Sequence, residues 1–537
     1  MIKKHAVRLM FIVLSLPLVA AAQSDILIAN EGTTALPPPL PLSQWVQQAE
    51  QRCAANNLSF MQDERGRLVQ FYQAQNEQPL WGQPPHLQAL IEQLELLADD
   101  GLDPNQYHLQ ALREQTIANT DQAQCQEIIA SQMYLRALQH LSEGRFDQNK
   151  LDNLWRPADH PMPPSRVLSL AQTHQAQVAA AFDDARPSNP QYHALRKLYA
   201  KKRNEPIPSW PLIGNGPTLR EGNLDKRVPV LRERLRQEGY LATLSNEDPQ
   251  NTRYDANLVR AVKDFQRTHA LQADGIVGPS TLASLNTSAH DRLAQLRINL
   301  ERLRWLNYEL TPRMLVVDVT GGYILNYDNG ELTWKARGQV GTPRRQTPLL
   351  RSSINRITLN PTWTIPPTIL REDKLPKIRQ DLSYLERSQL TVLDRNGNRL
   401  NPHEVDWSRP GSFMLRQAAG PRNPLGKVAI RFPNPFSVYL HDTPSQSLFS
   451  RTERATSSGC VRVEGALDLV DLLLQPEERA TVQQRIASGK TSEYRLQQPV
   501  PLLIAYWTVE VTPEGEIQYR PDIYHRDNAL IRAMERQ

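Results

Sequence analysis

One cysteine and one histidine near the C-terminal end carry the clearest chemistry. His441 opens His441-Asp442-Thr443. Cys460 lies nineteen residues later in Thr456-Ser457-Ser458-Gly459-Cys460-Val461-Arg462-Val463. A thiol becomes a good nucleophile when a neighbouring imidazole takes its proton or forms an ion pair with it. His441 ends an apolar run (Val438, Tyr439, Leu440) that reads as a strand, which would hold the imidazole at a sheet edge. Gly459 permits a tight turn, in which the N–H groups of Gly459 and Cys460 can converge on one spot, as an oxyanion hole for acyl transfer requires. After Cys460 the spacing predicts a helix with Glu464 near its start and Leu467, Val470 and Leu474 on one face. A lone cysteine more often packs as a small hydrophobe and a lone histidine more often serves structure. Spacing alone leaves both readings open.

Other residues can shape such a site. Tyr439 lies two residues before His441, so a strand puts both side chains on one face. Arg462 carries a fixed charge that either orients a carboxylate or sits in a structural ion pair. Trp363 either lines the pocket or joins a core. No H-E-x-x-H or paired Cys-x-x-Cys pattern occurs, so no metal and no cofactor is expected.

The elements that must position these residues fall into several regions, as expected for 537 residues. Residues 1–22 read as a signal peptide: a positive n-region (Lys3, Lys4, Arg8), an apolar run from Leu9 to Val19 and Ala20-Ala21-Ala22 as a cleavage site. An uncleaved anchor is the alternative, although the run is short for a span. Residues 31–41 read as a Pro-rich linker. A helical scaffold domain is expected over 43–210, with the periodic segments His86–Leu97 and Glu127–Leu141, and the Pro- and Gly-rich stretch Asn204–Asn223 breaks the chain. A three-helix module is expected over 224–287. There Gly239 ends a first helix, Asp255 caps a second carrying Leu258, Val262 and Phe265, and Pro279 opens a third. A mainly-β domain is expected over 312–511, with strands at Leu315–Val319, Tyr323–Tyr327, Leu332–Val340, Ile354–Asn360, Lys427–Phe432 and Phe436–His441. Asp328-Asn329-Gly330 signals a type I′ hairpin. A helical, charged insertion at 366–416 reads as a cap over a site, and 512–537 as a C-terminal tail. The fold class is therefore multidomain α+β.

Composition bounds the partners. A net charge of +5 and a pI near 9.0 are a mild excess. That excess excludes the dense basic patch of a nucleic-acid binder and suits work near anionic polymers. Of three cysteines, Cys53 and Cys125 either pair and leave Cys460 free, or all three are unpaired.

Val262-Lys263-Asp264-Phe265-Gln266 and Asp274 through Leu282 resemble the peptidoglycan-binding module found beside many cell-wall enzymes; a generic three-helix bundle is the other reading. His441-Asp442-Thr443, Ser457, Gly459, Cys460 and Arg462, preceded by Asn423-Pro424-Leu425-Gly426, resemble the signature of the L,D-transpeptidase (YkuD-type) catalytic domain. The whole chain is similar to the large YcbB-type members of Gram-negative bacteria. One departure is Ser458, where many members have His; it leaves His441 as the credible base. Asp442 or a backbone carbonyl would orient its imidazole.

The resemblance implies a reaction. Cys460 attacks the carbonyl between the L-centre of diaminopimelate and a terminal D-Ala, with His441 as base and Gly459 and Cys460 amides at the oxyanion. A second diaminopimelate amine then resolves the thioester as a 3→3 cross-link. Tyr439, Arg462, Ser458 and Trp363 are the implied substrate contacts. L,D-carboxypeptidase action, transfer to another amine, and a non-catalytic wall-binding scaffold are the alternatives. Peptidoglycan is the implied substrate and partner, carbapenem β-lactams the implied covalent inhibitors, cell-wall synthases candidate docking partners of the helical domain, and the periplasm the implied location.

Overall fold

Apolar residues at helical spacing give the N-terminal half its core. The computed structural model describes residues 40–536 except 55–57, 62, 114–118, 159–164, 175–176, 243–247, 308 and 513–514. The signal-peptide reading and nearly all of the linker lie outside the described residues. The helix Thr120–Glu143 is buried along most of its length. It packs with Leu42–Arg52, Pro84–Leu96 and Val178–Ala185 around Trp45, Phe71, Tyr72, Tyr134 and Phe182. Cys53 and Cys125 are joined as a disulfide across this core, and Cys460 is free.

The module folds around Leu231, Leu235, Tyr254, Leu258, Val262 and Phe265. Its helices are Val228–Gln237, Ala256–Thr268 and Pro279–Leu285. The Asp255 side chain accepts from the Leu258 N–H, and Gly239 takes a positive φ of 82°, each where the sequence predicts a helix boundary. Beyond the module, the helix Ala289–Asn307 packs between the scaffold helices and the β domain. It carries buried Arg302, paired with Asp527, and Arg304, paired with Glu301. A buried charge is tolerated only when so paired.

The β domain is built from β1 (Met314–Asp318), β2 (Tyr323–Asp328), β3 (Glu331–Gly341), β4 (Leu350–Leu359), β5 (Trp363–Thr364), β6 (Leu390–Leu393), β7 (Met414–Gln417), β8 (Val428–Arg431), β9 (Leu440–His441), β10 (Ala455–Ser457), β11 (Val461–Val463) and β12 (Ser492–Ala505). The strand order is β10-β3-β11-β9-β8-β4-β12-β1-β2, and a further β2–β3 pairing closes the sheet on itself. Asn329 and Gly330 both have positive φ (51° and 82°), as the type I′ hairpin between β2 and β3 demands. One face of the sheet packs Val428, Ile430, Leu440, Val461 and Val463 against the helix Ala466–Leu473.

Several expectations are corrected. The insertion is only partly helical: β5, β7 and β6 form a small antiparallel sheet, and Ile365, Leu370, Ile378, Val392 and Leu415 give it a core of its own. The strand ending at His441 is two residues long. Before it, Ser437 has a φ of 57° and the Asn434 side chain bonds the Val438 N–H and C=O, which curls the chain out of the sheet. Cys460 leads into β11, not directly into a helix; Gly465, at φ 62°, then turns the chain into Ala466–Leu473. The expected tail is folded: Leu530 and Met534, one turn apart on the helix Asp527–Glu535, pack on Ile298 and Trp305.

Candidate active site

Register brings the candidate residues together. In the parallel pair of β11 and β9, Val461 lies beside Leu440 and Arg462 beside His441. Continuing that register by one residue sets Cys460 beside Tyr439, and the Val461 N–H donates to the Tyr439 carbonyl at 3.1 Å. Side chains alternate along a strand, so Cys460, Arg462, Tyr439 and His441 share one face, opposite Leu440, Val461 and Val463 in the core.

The loop that presents Cys460 is tied at several points. Gly459 has a φ of 112°, a region closed to most side chains. Ser457 Oγ donates to the Cys460 carbonyl at 2.5 Å and accepts from the Gly459 N–H at 3.1 Å. Thr347 Oγ1 donates to the Gly459 carbonyl at 2.9 Å and accepts from the Gly341 N–H at 2.8 Å. The Gly459 N–H is thus engaged within the turn rather than paired with the Cys460 N–H as an open oxyanion donor. Sequence reasoning missed Thr347 because a loop threonine carries no periodic signal.

His441 is 5% exposed. Its Nδ1 lies 2.6 Å from the Asp442 carbonyl, so Nδ1 carries the proton in the neutral ring and Nε2 is left as the basic atom. The Asp442 carboxylate turns away, accepting from the Lys427 N–H; of the two orienting groups weighed, the backbone carbonyl is the one present. Burial pushes the imidazole down to about 3, against the Asp442 and Pro424 carbonyls and together with the Arg462 and Arg431 charges. Burial also pushes the Cys460 thiol up, against its bonds to Tyr439 and the nearby Arg431 and Arg462. Both effects favour the neutral forms of the thiol and the imidazole.

Tyr439 is wedged between the Arg431 guanidinium, 3.8 Å over its ring, and the His441 ring at 5.6 Å. Arg462 Nη1 donates to Gln339 Oε1 at 2.8 Å, and among the described residues it has no carboxylate partner. Ser458 is exposed and its Oγ accepts from Arg345 at 2.9 Å. Arg345 also pairs with Glu372 and Asp373 of the insertion, linking it to the cysteine loop. Trp363 packs against the insertion's own core beneath Lys374. Among the described residues no group of three or more His, Cys, Asp or Glu is placed to hold a metal. A separate cavity of about 770 Å³ lies between the module and the sheet, lined by His269, Gln272, Arg292, Thr452 and Tyr519; it does not include Cys460.

Residues 312–495 match the family described as the L,D-transpeptidase catalytic domain, YkuD. Over those residues the chain is similar to the L,D-transpeptidase catalytic domain. Residues 225–285 match a peptidoglycan-binding domain and residues 66–198 a domain described as Scaffold. The three together are consistent with the YcbB-type arrangement. A Haemophilus influenzae protein described as an L,D-transpeptidase is 33% identical over 258 residues, 45% of this chain and 50% of the relative. The chain therefore spans about half the length of that relative. Among solved structures, an L,D-transpeptidase from Mycobacterium smegmatis is 14% identical, over 36% of this chain and 58% of that one, with a TM-score of 0.17. One from Xylanimonas cellulosilytica is 16% identical, over 56% of this chain and 100% of that one, with a TM-score of 0.15. Likeness at this level carries no weight for this chain.

Proposed function

We propose that the protein is a peptidoglycan L,D-transpeptidase with Cys460 as nucleophile and His441 as its base. The observation that carries this reading is the shared face of the free Cys460 thiol and a neutral His441 whose Nδ1 is held by a backbone carbonyl. As Sγ attacks the carbonyl between the L-centre of diaminopimelate and the terminal D-Ala, Nε2 of His441 takes the thiol proton. The Cys460 N–H stabilises the oxyanion, and Gly459 serves by the turn its φ allows. His441 then gives the proton to the departing D-Ala amine, leaving a thioester. A diaminopimelate amine of a second stem attacks the thioester, loses its proton to His441 and forms the 3→3 bond. The proton returns to the leaving sulfur.

Tyr439 walls the nucleophile's pocket and Arg462 sets a positive charge beside it. Ser458, on the rim, and Trp363, on β5 just before the insertion, frame the approach of the stem. The module holds the glycan near the site, the helical domain offers cell-wall synthases a surface, and the protein works in the periplasm. No helix among the described residues is long and apolar enough to cross a membrane. A carbapenem acylates Cys460 at the same oxyanion position.

Product analysis tests this. Disaccharide-tetrapeptide incubated with the enzyme gives free D-Ala and a 3→3 dimer, and the Cys460→Ala and His441→Ala variants give neither. D-Ala without dimer identifies a carboxypeptidase. No D-Ala from well-folded enzyme overturns the reading and leaves a wall-binding scaffold.

A further inference from the structure

The face that carries Cys460 extends into an unusual row of charge. Arg495 on β12 is the direct cross-strand partner of Arg356 on β4. Arg356 is in turn the direct partner of Arg431 on β8. The β8–β9 register, Ala429 with His441 and Ile430 with Leu440, carries the row on to Tyr439. The stacking of Arg431 over the Tyr439 ring confirms that neighbourhood. The next neighbour is Cys460. Three arginines thus stand side by side on adjacent strands, in line with the nucleophile.

Like charges directly opposite on a sheet are destabilising, and ordinary surfaces relieve them with carboxylates. Here none does so. Among the described residues Arg356, Arg431 and Arg495 have no ion-pair partner. Arg356 and Arg495 are exposed. Arg431 donates weakly to Thr358 Oγ1 and stacks on Tyr439. Glu493 is the carboxylate of β12 on this face, and it accepts from Thr358 Oγ1 at 2.7 Å instead.

We infer that this arginine row is the binding surface for the free carboxylates of the donor stem peptide, laid across the strands with its reacting carbonyl at Cys460. The inference rests on the transpeptidase reading above and names which residues select the donor. Strands spaced by about 4.8 Å put Arg431 roughly 10 Å, Arg356 roughly 14 Å and Arg495 roughly 19 Å from Cys460. An extended peptide rises about 3.3 Å per residue, so the three stem residues on the glycan side of the reacting carbonyl span about 10 Å, as far as Arg431, and Arg356 and Arg495 carry the positive field on past the glycan-linked end. Guanidinium forks bind carboxylates bidentately, and a positive row along the approach also steers an anionic stem to the thiol.

Binding, measured apart from turnover, tests this. In the full chain carrying Cys460→Ala, disaccharide-tetrapeptide is titrated at low ionic strength, with its carboxylates either free or amidated. Arg356→Gln and Arg495→Gln are each added, then both. Each weakens binding of the free-carboxylate stem about threefold, and the two together about tenfold. Added salt shrinks the difference, and the amidated stem binds wild-type and substituted rows alike. Unchanged affinity in the double variant, or equal affinity for free and amidated stems, overturns the inference. Arginine-dependent binding together with no acylation of the enzyme that retains Cys460 instead faults the transpeptidase reading and leaves the row intact.

Discussion

A neutral thiol–imidazole pair has a kinetic signature distinct from that of a preformed thiolate. The perturbation is pH and the probe is iodoacetamide, which reacts with the thiolate alone. Because Cys53 and Cys125 are bonded to each other, the reagent reports on Cys460. Burial raises the thiol above its ordinary range, which favours the neutral form at pH 7. The imidazole is pushed down to about 3. The displacement of the imidazole from about 6.5 alone disfavours its protonation by an amount of order 5 kcal/mol at about 1.4 kcal/mol per unit, and the raised thiol acts in the same direction. Proton transfer to His441 therefore belongs to the attack itself, as general-base catalysis. Followed by intact mass between pH 5.5 and 9, the alkylation rate rises about tenfold per unit through pH 8.5. It shows no shoulder near neutrality, and His441→Ala keeps the same slope. A plateau with its inflection below pH 7, lost in His441→Ala, would reveal a standing thiolate–imidazolium pair and refute the reasoning.

Three further perturbations follow from the structure. The Cys53–Cys125 bridge closes a separation of 72 residues, which the chain-entropy account values at about 4 kcal/mol; Cys53→Ser with Cys125→Ser lowers the denaturation midpoint accordingly, and an unmoved midpoint contradicts this. Burial holds His140 and His441 neutral down to about 3, below the unfolded value of about 6.5, so their stabilisation is whole above pH 6.5 and is lost as pH falls toward 3. Each costs about 2 kcal/mol by pH 5, and His441→Gln flattens the fall measured by denaturant between pH 6.5 and 5. Arg345→Ala releases Glu372, Asp373 and Ser458; limited proteolysis within the insertion quickens, while global stability moves by less than about 1 kcal/mol because the partners are half exposed.

What could be read from the sequence was what local rules govern. Asn329-Gly330 demands its hairpin, Asp255 its helix cap and Pro279 its helix start, because each acts within four residues. The site was legible to the same depth: Cys460 follows a glycine that must turn, and His441 closes an apolar run. The rest depends on partners far along the chain. The row from Arg495 to Arg431 exists only through registers joining residues 75 and 139 positions apart. The β11 strand is three residues long and owes its form to pairing with β9 and β3. The strands of the insertion were hidden because charged residues around Leu390–Leu393 mask a short apolar run whose partner, Met414–Gln417, lies beyond an irregular loop. Trp363 illustrates the same limit, since the core it packs against is assembled from residues far along the chain.

The central claim is that Cys460 carries the acyl group, and intact-protein mass spectrometry of the enzyme mixed with disaccharide-tetrapeptide tests it most directly. The account predicts a covalent adduct equal to the stem less D-Ala on the wild-type chain and none on Cys460→Ala. A wild-type chain that stays unmodified while well folded, or an adduct that persists in Cys460→Ala, would contradict it.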